Sequence, residues 1–187
     1  MTTLIQNTIA AWDTRASALT SWGAGLQSER GQVQRFLAVL EHLNLRRGDN
    51  VLDFGCGTGR LCEFLPERVQ YVGFDWSPDL RKRAAEEHPR ARIVDVLSDE
   101  MFDHIVAVGP FNLCDNWTKQ QTWERLAELW GMHTRRSLVV SLYRGDDPVN
   151  VVYEPEELCV FARRMGCRRF RIDSTYLDND LLLAMYR

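Results

Sequence analysis

The chain has 187 residues, 45% hydrophobic and 26% charged, with a formal net charge of −3. That length holds one domain with a sizeable core. The charge balance excludes a highly charged disordered chain and a nucleic-acid binder recognisable by bulk basicity. The five cysteines, Cys56, Cys62, Cys114, Cys159 and Cys167, are odd in number and form no Cys-x-x-Cys pair. They read as reduced thiols of a cytoplasmic protein rather than a disulfide framework. No apolar run is long enough to span a bilayer, and the first residues lack the basic-then-apolar pattern of a secretory leader.

In chain order, Val33, Phe36, Leu37 and Leu40 share the i, i+3, i+4, i+7 spacing of one helix face. Arg46-Arg47-Gly48-Asp49 ends that pattern. Val51-Leu52-Asp53-Phe54 reads as a buried strand running into glycines, with a helix from about Arg60 to Leu65 behind it. Tyr71 to Phe74 is a second strand. Ser77-Pro78 then opens a helix to about His88, with Ser as N-cap and Pro in the first helical position. Arg92 to Val94 and Ile105 to Val108 are the next strands. Between Asp95 and Phe102 there is too little chain for a full crossover helix, so a short connection is expected there.

Trp123, Leu126, Ala127 and Trp130 mark a further helix, and Leu138 to Leu142 a fifth strand. Pro155 begins the last helix, with Glu156 and Glu157 in its first turn, where carboxylates suit the helix dipole. Leu158, Phe161, Ala162 and Met165 form its apolar face, and Gly166 is its stop. Phe170 to Ile172 and Leu181 to Tyr186 close the chain as a hairpin. Strand–helix alternation of this kind predicts a mostly parallel sheet with helices on both faces and one antiparallel hairpin at its end.

The strongest local signal is Asp53-Phe54-Gly55-Cys56-Gly57-Thr58-Gly59, between a strand and a helix. Glycines there let the backbone turn sharply and approach a ligand. A second acid, Asp75, ends the next strand, where doubly wound sheets meet the ribose of a bound nucleoside. The dinucleotide fingerprint fails, because Arg60 stands where its last glycine belongs. A P-loop fails too, because no Gly-Lys-Ser/Thr follows. The expected ligand is a nucleoside with a cationic or zwitterionic tail, not a polyphosphate.

This run resembles motif I of the class I S-adenosylmethionine-dependent methyltransferases, and the landmarks keep the family's order from about Asn50 to Leu142. The resemblance implies a Rossmann-like α/β fold with a seven-stranded sheet in the order 3-2-1-4-5-7-6. It implies S-adenosylmethionine as cofactor and S-adenosylhomocysteine as product. The cofactor-binding residues it implies are Asp53, Gly55, Cys56, Gly57, Gly59, Asp75, Trp76, Asp95, Val96 and Gly109. Phe102-Asp103-His104-Ile105-Val106 looks like the family's fourth strand. A narrower resemblance joins Trp22-Gly23, Gln32, Arg35-Phe36 and Val108-Gly109-Pro110-Phe111-Asn112 to compact bacterial and phage methyltransferases. Their fourth strand tends to end Ser-Gly-x-Phe-Asn, where this chain has Val108 in place of the Ser.

Residues 1–45, with Trp12 and Trp22, would form a helical lid on a core of 46–187, and Arg35 would reach the methionine carboxylate. The expected catalytic residues are Asn112, which would orient an acceptor through its carbonyl, with Phe111 and Asp115 beside it. Tyr143, Arg144 and Tyr153 would face the substrate, with Tyr176 near them. Gly109-Pro110-Phe111-Asn112 departs from the Asn-Pro-Pro-Tyr of nucleobase amino-methyltransferases, and no Pro-Cys pair supports cytosine C5 chemistry. His42, His88, His104 and His133 show no metal spacing, so no metal is expected, and His104 reads as a packed strand residue. A small-molecule acceptor is favoured. Nucleic acid or protein is the alternative, through Arg163, Arg164, Arg168, Arg169 and Arg171. A cofactor-binding module without transfer is a third possibility. The chain is expected as a monomer or homodimer.

Overall fold

The computed structural model describes residues 29–113 and 117–187. Trp12, Trp22, Gly23, Cys114 and Asp115 lie outside them. Seven strands form one sheet: β1 (Asn50–Phe54), β2 (Gln70–Phe74), β3 (Arg92–Val94), β4 (Phe102–Val108), β5 (Thr134–Tyr143), β6 (Arg169–Asp173) and β7 (Asp180–Tyr186). Their order is β3-β2-β1-β4-β5-β7-β6. The first five pair in parallel, while β7 is antiparallel to both β5 and β6. Fold, strand order and terminal hairpin are those expected from the sequence.

The central strands are apolar on both faces because both are covered. Alternate residues divide into two cores. Val51, Val106, Val139, Leu182 and Ala184 face α1 (Glu29–Glu41). Leu52, Ile105, Val140 and Leu183 face the other way, in one cluster with Leu126 of α3 (Lys119–Glu128) and Leu158 of α4 (Pro155–Arg164). Between β2 and β3 lies α2 (Pro78–Glu87), opened by the Ser77 hydroxyl, which accepts from the Leu80 N–H at 3.1 Å. A 3-10 turn, Arg60–Phe64, follows the glycine loop. Residues 95–101 join β3 to β4 without a helix.

The apolar face of α1 differs from the one its periodicity suggests. Leu37 is 50% exposed, whereas Gln32, Arg35, Phe36 and Val39 are buried. Arg35 explains the rotation. Its Nε and Nη2 donate to the two carboxylate oxygens of Asp180 at the start of β7. Ser141 (3.4 Å) and Tyr176 (3.3 Å) donate their hydroxyls to the same carboxylate. A buried guanidinium is tolerated when it is paired in this two-pronged way.

His104 sits inside β4. Its Nδ1 lies 2.7 Å from Ser137 Oγ and its Nε2 3.1 Å from Asp49 Oδ2, and Arg136 also pairs with Asp49. Burial holds the imidazole below its usual pKa despite the Asp49 bond. This Asp–His–Ser row is sealed and lies toward the N-terminal ends of the strands, so it ties strands together rather than catalysing.

Candidate cofactor and acceptor site

Strand register assembles the site. Asp53 pairs with Gly73 and Phe54 with Phe74, so the loop after β1 and Asp75 after β2 leave the sheet side by side. Asp53 also pairs with Val106, which brings the end of β4 to the same edge. This is where strand order reverses between β1 and β4, the crevice in which such sheets bind ligands.

Gly55, Gly57 and Gly59 have φ of 79°, 57° and 79°. A Cβ on Gly57 would meet nothing within 4 Å, so this glycine faces open space. A Cβ on Gly55 would lie 2.6 Å from Pro110 Cβ, so the glycine loop and the Gly109-Pro110 turn touch. Gly109 itself has φ of 80°. The Gly57 N–H donates to Asp75 Oδ2 at 2.8 Å, and the Ser77 N–H to Asp75 Oδ1 at 2.9 Å. Each carboxylate oxygen keeps a second lone pair. Burial raises the Asp75 pKa against these two N–H bonds.

Asp53 is buried beneath the loop, and the Tyr71 hydroxyl donates to its Oδ2 at 2.8 Å. Burial pushes its pKa up to about 7, opposed by the Tyr71 bond and helped by the charge of Asp75. Burial likewise pushes the Cys56 thiol up, so it stays protonated. A Cβ on Gly73 would lie 2.9 Å from Cys56 Sγ and from Ile93 Cδ1, so the loop packs directly on bare β2 backbone. Tyr71 and Gly73 are site residues that sequence reading misses. That Tyr71 to Phe74 is a strand was visible, but not which neighbours its side chains meet. Trp76 is half-buried and edge-on to Phe54 and Phe74, at 4.9 and 5.2 Å between ring centroids. Asp95 and Val96 are exposed just past β3.

The remaining expected residues divide. Arg35 is not free for a carboxylate ligand, because Asp180 holds it. Phe111 is fully buried between Phe54 and Trp117, at 5.8 and 4.9 Å, so it is core and not a pocket wall. Tyr153 is fully buried too, its hydroxyl donating to Thr122 Oγ1 at 2.8 Å, so it faces no substrate. Aromatic residues in loops look like pocket walls in a sequence, but here they plug the sheet. The Asn112 side-chain oxygen is turned toward β5, where Oδ1 accepts from the Tyr143 N–H at 3.0 Å. Tyr143 is buried, and Arg144 is exposed with no ion pair among the described residues. Among the described residues no group of three His, Cys, Asp or Glu could hold a metal, and no helix is long and apolar enough to cross a membrane.

Residues 27–130 match the family model described as a methyltransferase domain. The chain belongs to the methyltransferase-domain family. Its fold is that of the class I S-adenosylmethionine-dependent methyltransferases. Over 97 residues, 48% of the chain, it is 32% identical to a cyclopropane-fatty-acyl-phospholipid synthase of Escherichia coli. The chain spans only a quarter of the length of that relative. Two solved structures share the fold. One is magnesium protoporphyrin IX methyltransferase from Synechocystis PCC 6803 with bound S-adenosylhomocysteine. It has 15% identity and a TM-score of 0.73, over 98% of this chain and 97% of that one. The other is the N-methyltransferase NodS from Bradyrhizobium japonicum in complex with the same ligand. It has 15% identity and a TM-score of 0.72, over 97% and 98%.

Proposed function

We propose that this methyltransferase acts on a small-molecule acceptor, with the cofactor laid along the edge formed by the glycine loop, Asp75 and Gly109. The observation that carries the reading is the open Gly57 cradle, bonded to Asp75 and touching the β4 turn through Gly55. Asp75 has spare lone pairs for ribose hydroxyls. Trp76, Asp95 and Val96 border the base, and Asp53, once ionised, attracts the cationic methionine end from below the loop. Gly59 and the Cys56 backbone complete the turn. The cofactor's sulfonium supplies a methyl group already activated for transfer. The chain's own residues must align the acceptor and exclude water.

The acceptor edge is narrow. The Val151 N–H donates to the Asn112 carbonyl at 2.7 Å, the Tyr153 N–H to the Tyr143 carbonyl at 3.0 Å, and Leu113 bridges to Asn150. Two stitched loops suit a compact acceptor. A nucleic-acid acceptor is the second reading, favoured by exposed Arg163, Arg164, Arg168, Arg169 and Arg171. Arg169 pairs with Tyr186, which pairs with Ser137 near the start of β5, whereas Gly109 lies beyond the Val108–Ser141 pair at its far end. Phosphates on the arginines would dock at the opposite end of the sheet from the methyl group.

Transfer of a tritiated methyl group to fractionated lysate tests the acceptor class. The label should enter the small-molecule fraction, and label confined to nucleic acid or protein refutes the reading. Calorimetry with S-adenosylhomocysteine tests the site. Asp75→Ala and Gly57→Val should each weaken binding at least tenfold, and unchanged affinity in both rejects the assignment.

A further inference from the structure

Asn112 turns a hydrogen-bond donor toward the Gly109 turn. Its Oδ1 is fixed by the Tyr143 N–H, which requires an oxygen, so the carboxamide has one consistent orientation. Its main chain is held on both sides, the N–H donating to the Gly109 carbonyl at 3.4 Å and the carbonyl accepting from Val151. The Nδ2 is left beside Gly109, 3.7 Å from where a Cβ on that residue would lie. It has no partner among the described residues and is not among their sealed, unsatisfied atoms. A donor stands where the acceptor group must come, at the turn that touches the glycine loop.

We propose that the acceptor group is a carboxylate. One of its oxygens accepts from Asn112 Nδ2 while the other attacks the methyl carbon. This rests on the reading of Gly109–Asn112 as the acceptor edge. The chemistry balances without a base. A carboxylate is ionised at neutral pH, so a lone pair on oxygen forms the O–CH3 bond as the C–S bond breaks. The departing pair stays on sulfur. Sulfonium and carboxylate charges cancel into a neutral ester and thioether, and no proton moves. An amine acceptor would ask for the reverse surface: a lone pair on the enzyme to orient its N–H and a route for the proton it loses. The side-chain oxygen expected to do that is turned to the Tyr143 N–H of β5, and it is Nδ2 that stands beside Gly109.

The test uses the base-lability of methyl esters. The full chain is incubated with tritiated-methyl S-adenosylmethionine and a bacterial small-molecule extract, and the products are treated with mild base. Tritiated methanol should distil off. Counts that survive base would overturn the carboxylate assignment while leaving methyl transfer intact. No incorporation into the small-molecule fraction would overturn both this inference and the small-molecule reading. Asn112→Asp keeps an oxygen for the Tyr143 N–H and turns the outward donor into an anionic oxygen. It should lower base-labile transfer about 10- to 100-fold, with S-adenosylhomocysteine affinity and unfolding temperature close to wild type. Wild-type transfer in that variant would remove Asn112 from the site.

Discussion

Replacing Asp53 by Asn should make the cofactor-free protein more stable and its cofactor binding weaker. In the folded chain the Asp53 carboxyl titrates near 7, because it is buried and close to Asp75, against an ordinary 3.8. The unfolded chain therefore releases this proton near pH 4, and the folded chain releases it only near 7. Between those values the folded state holds more protons, so stability falls as pH rises, and the loss is complete above pH 7. At about 1.4 kcal/mol per pH unit, the ionised group costs the folded state about 4 kcal/mol. Asn has the same shape, still accepts from the Tyr71 hydroxyl, and does not titrate. Its advantage over Asp should grow by about 3 kcal/mol between pH 5 and pH 8. In a domain of this size that is on the order of 5–10 °C in Tm. Thermal unfolding of both proteins across that pH range measures it. Calorimetry at pH 8 should show the opposite sign for S-adenosylmethionine, because in the proposed site the ionised carboxyl attracts its cationic end. A pH-independent difference in Tm, or unchanged cofactor affinity, would refute the reasoning.

Two further outcomes follow from packing. Arg35→Leu leaves Asp180 charged and buried, and should cost about 3–5 kcal/mol in denaturant unfolding; the double variant Arg35→Leu with Asp180→Leu should recover much of that loss. Gly73→Ala drives a methyl group into Cys56 Sγ and Ile93 Cδ1, each 2.9 Å away. It should lower stability by about 1–3 kcal/mol and weaken S-adenosylhomocysteine binding, read by calorimetry, because Cys56 belongs to the loop.

What was legible in the sequence was local. Ser77-Pro78 caps its helix, the glycines from 55 to 59 turn, and the short stretch from 95 to 101 holds no helix, because neighbouring residues alone decide each of these. Pairing across the fold was not legible. Arg35 and Asp180 are 145 residues apart, and nothing near Arg35 says that it will be buried and committed. The same holds for Asn112. Its type marked it as polar and site-adjacent, but which of its two ends faces outward depends on Tyr143, a residue of another strand. Phe111 and Tyr153 misled for a related reason. An aromatic side chain in a loop is a pocket wall or a plug according to what lies under it.

The missing helix between β3 and β4 has a mechanical consequence. Val94 is level with Phe74 and Phe54 at one end of the sheet, while Phe102 lies two residues before the level of Val51 at the other, three strand positions away. Five residues of strand height and three strand spacings make a diagonal of roughly 22 Å. The eight steps from Val94 to Phe102 reach about 27 Å when fully extended. Coiled at about 1.5 Å per residue, seven residues would cover only about 10 Å. A helix cannot bridge the gap at this length, so the connection is a nearly taut tether. Shortened by two residues it would fall short of the span, and the sheet would have to give up its β3 edge. Lengthened, it has somewhere to put the extra chain, which makes this the point where the fold tolerates growth but not trimming.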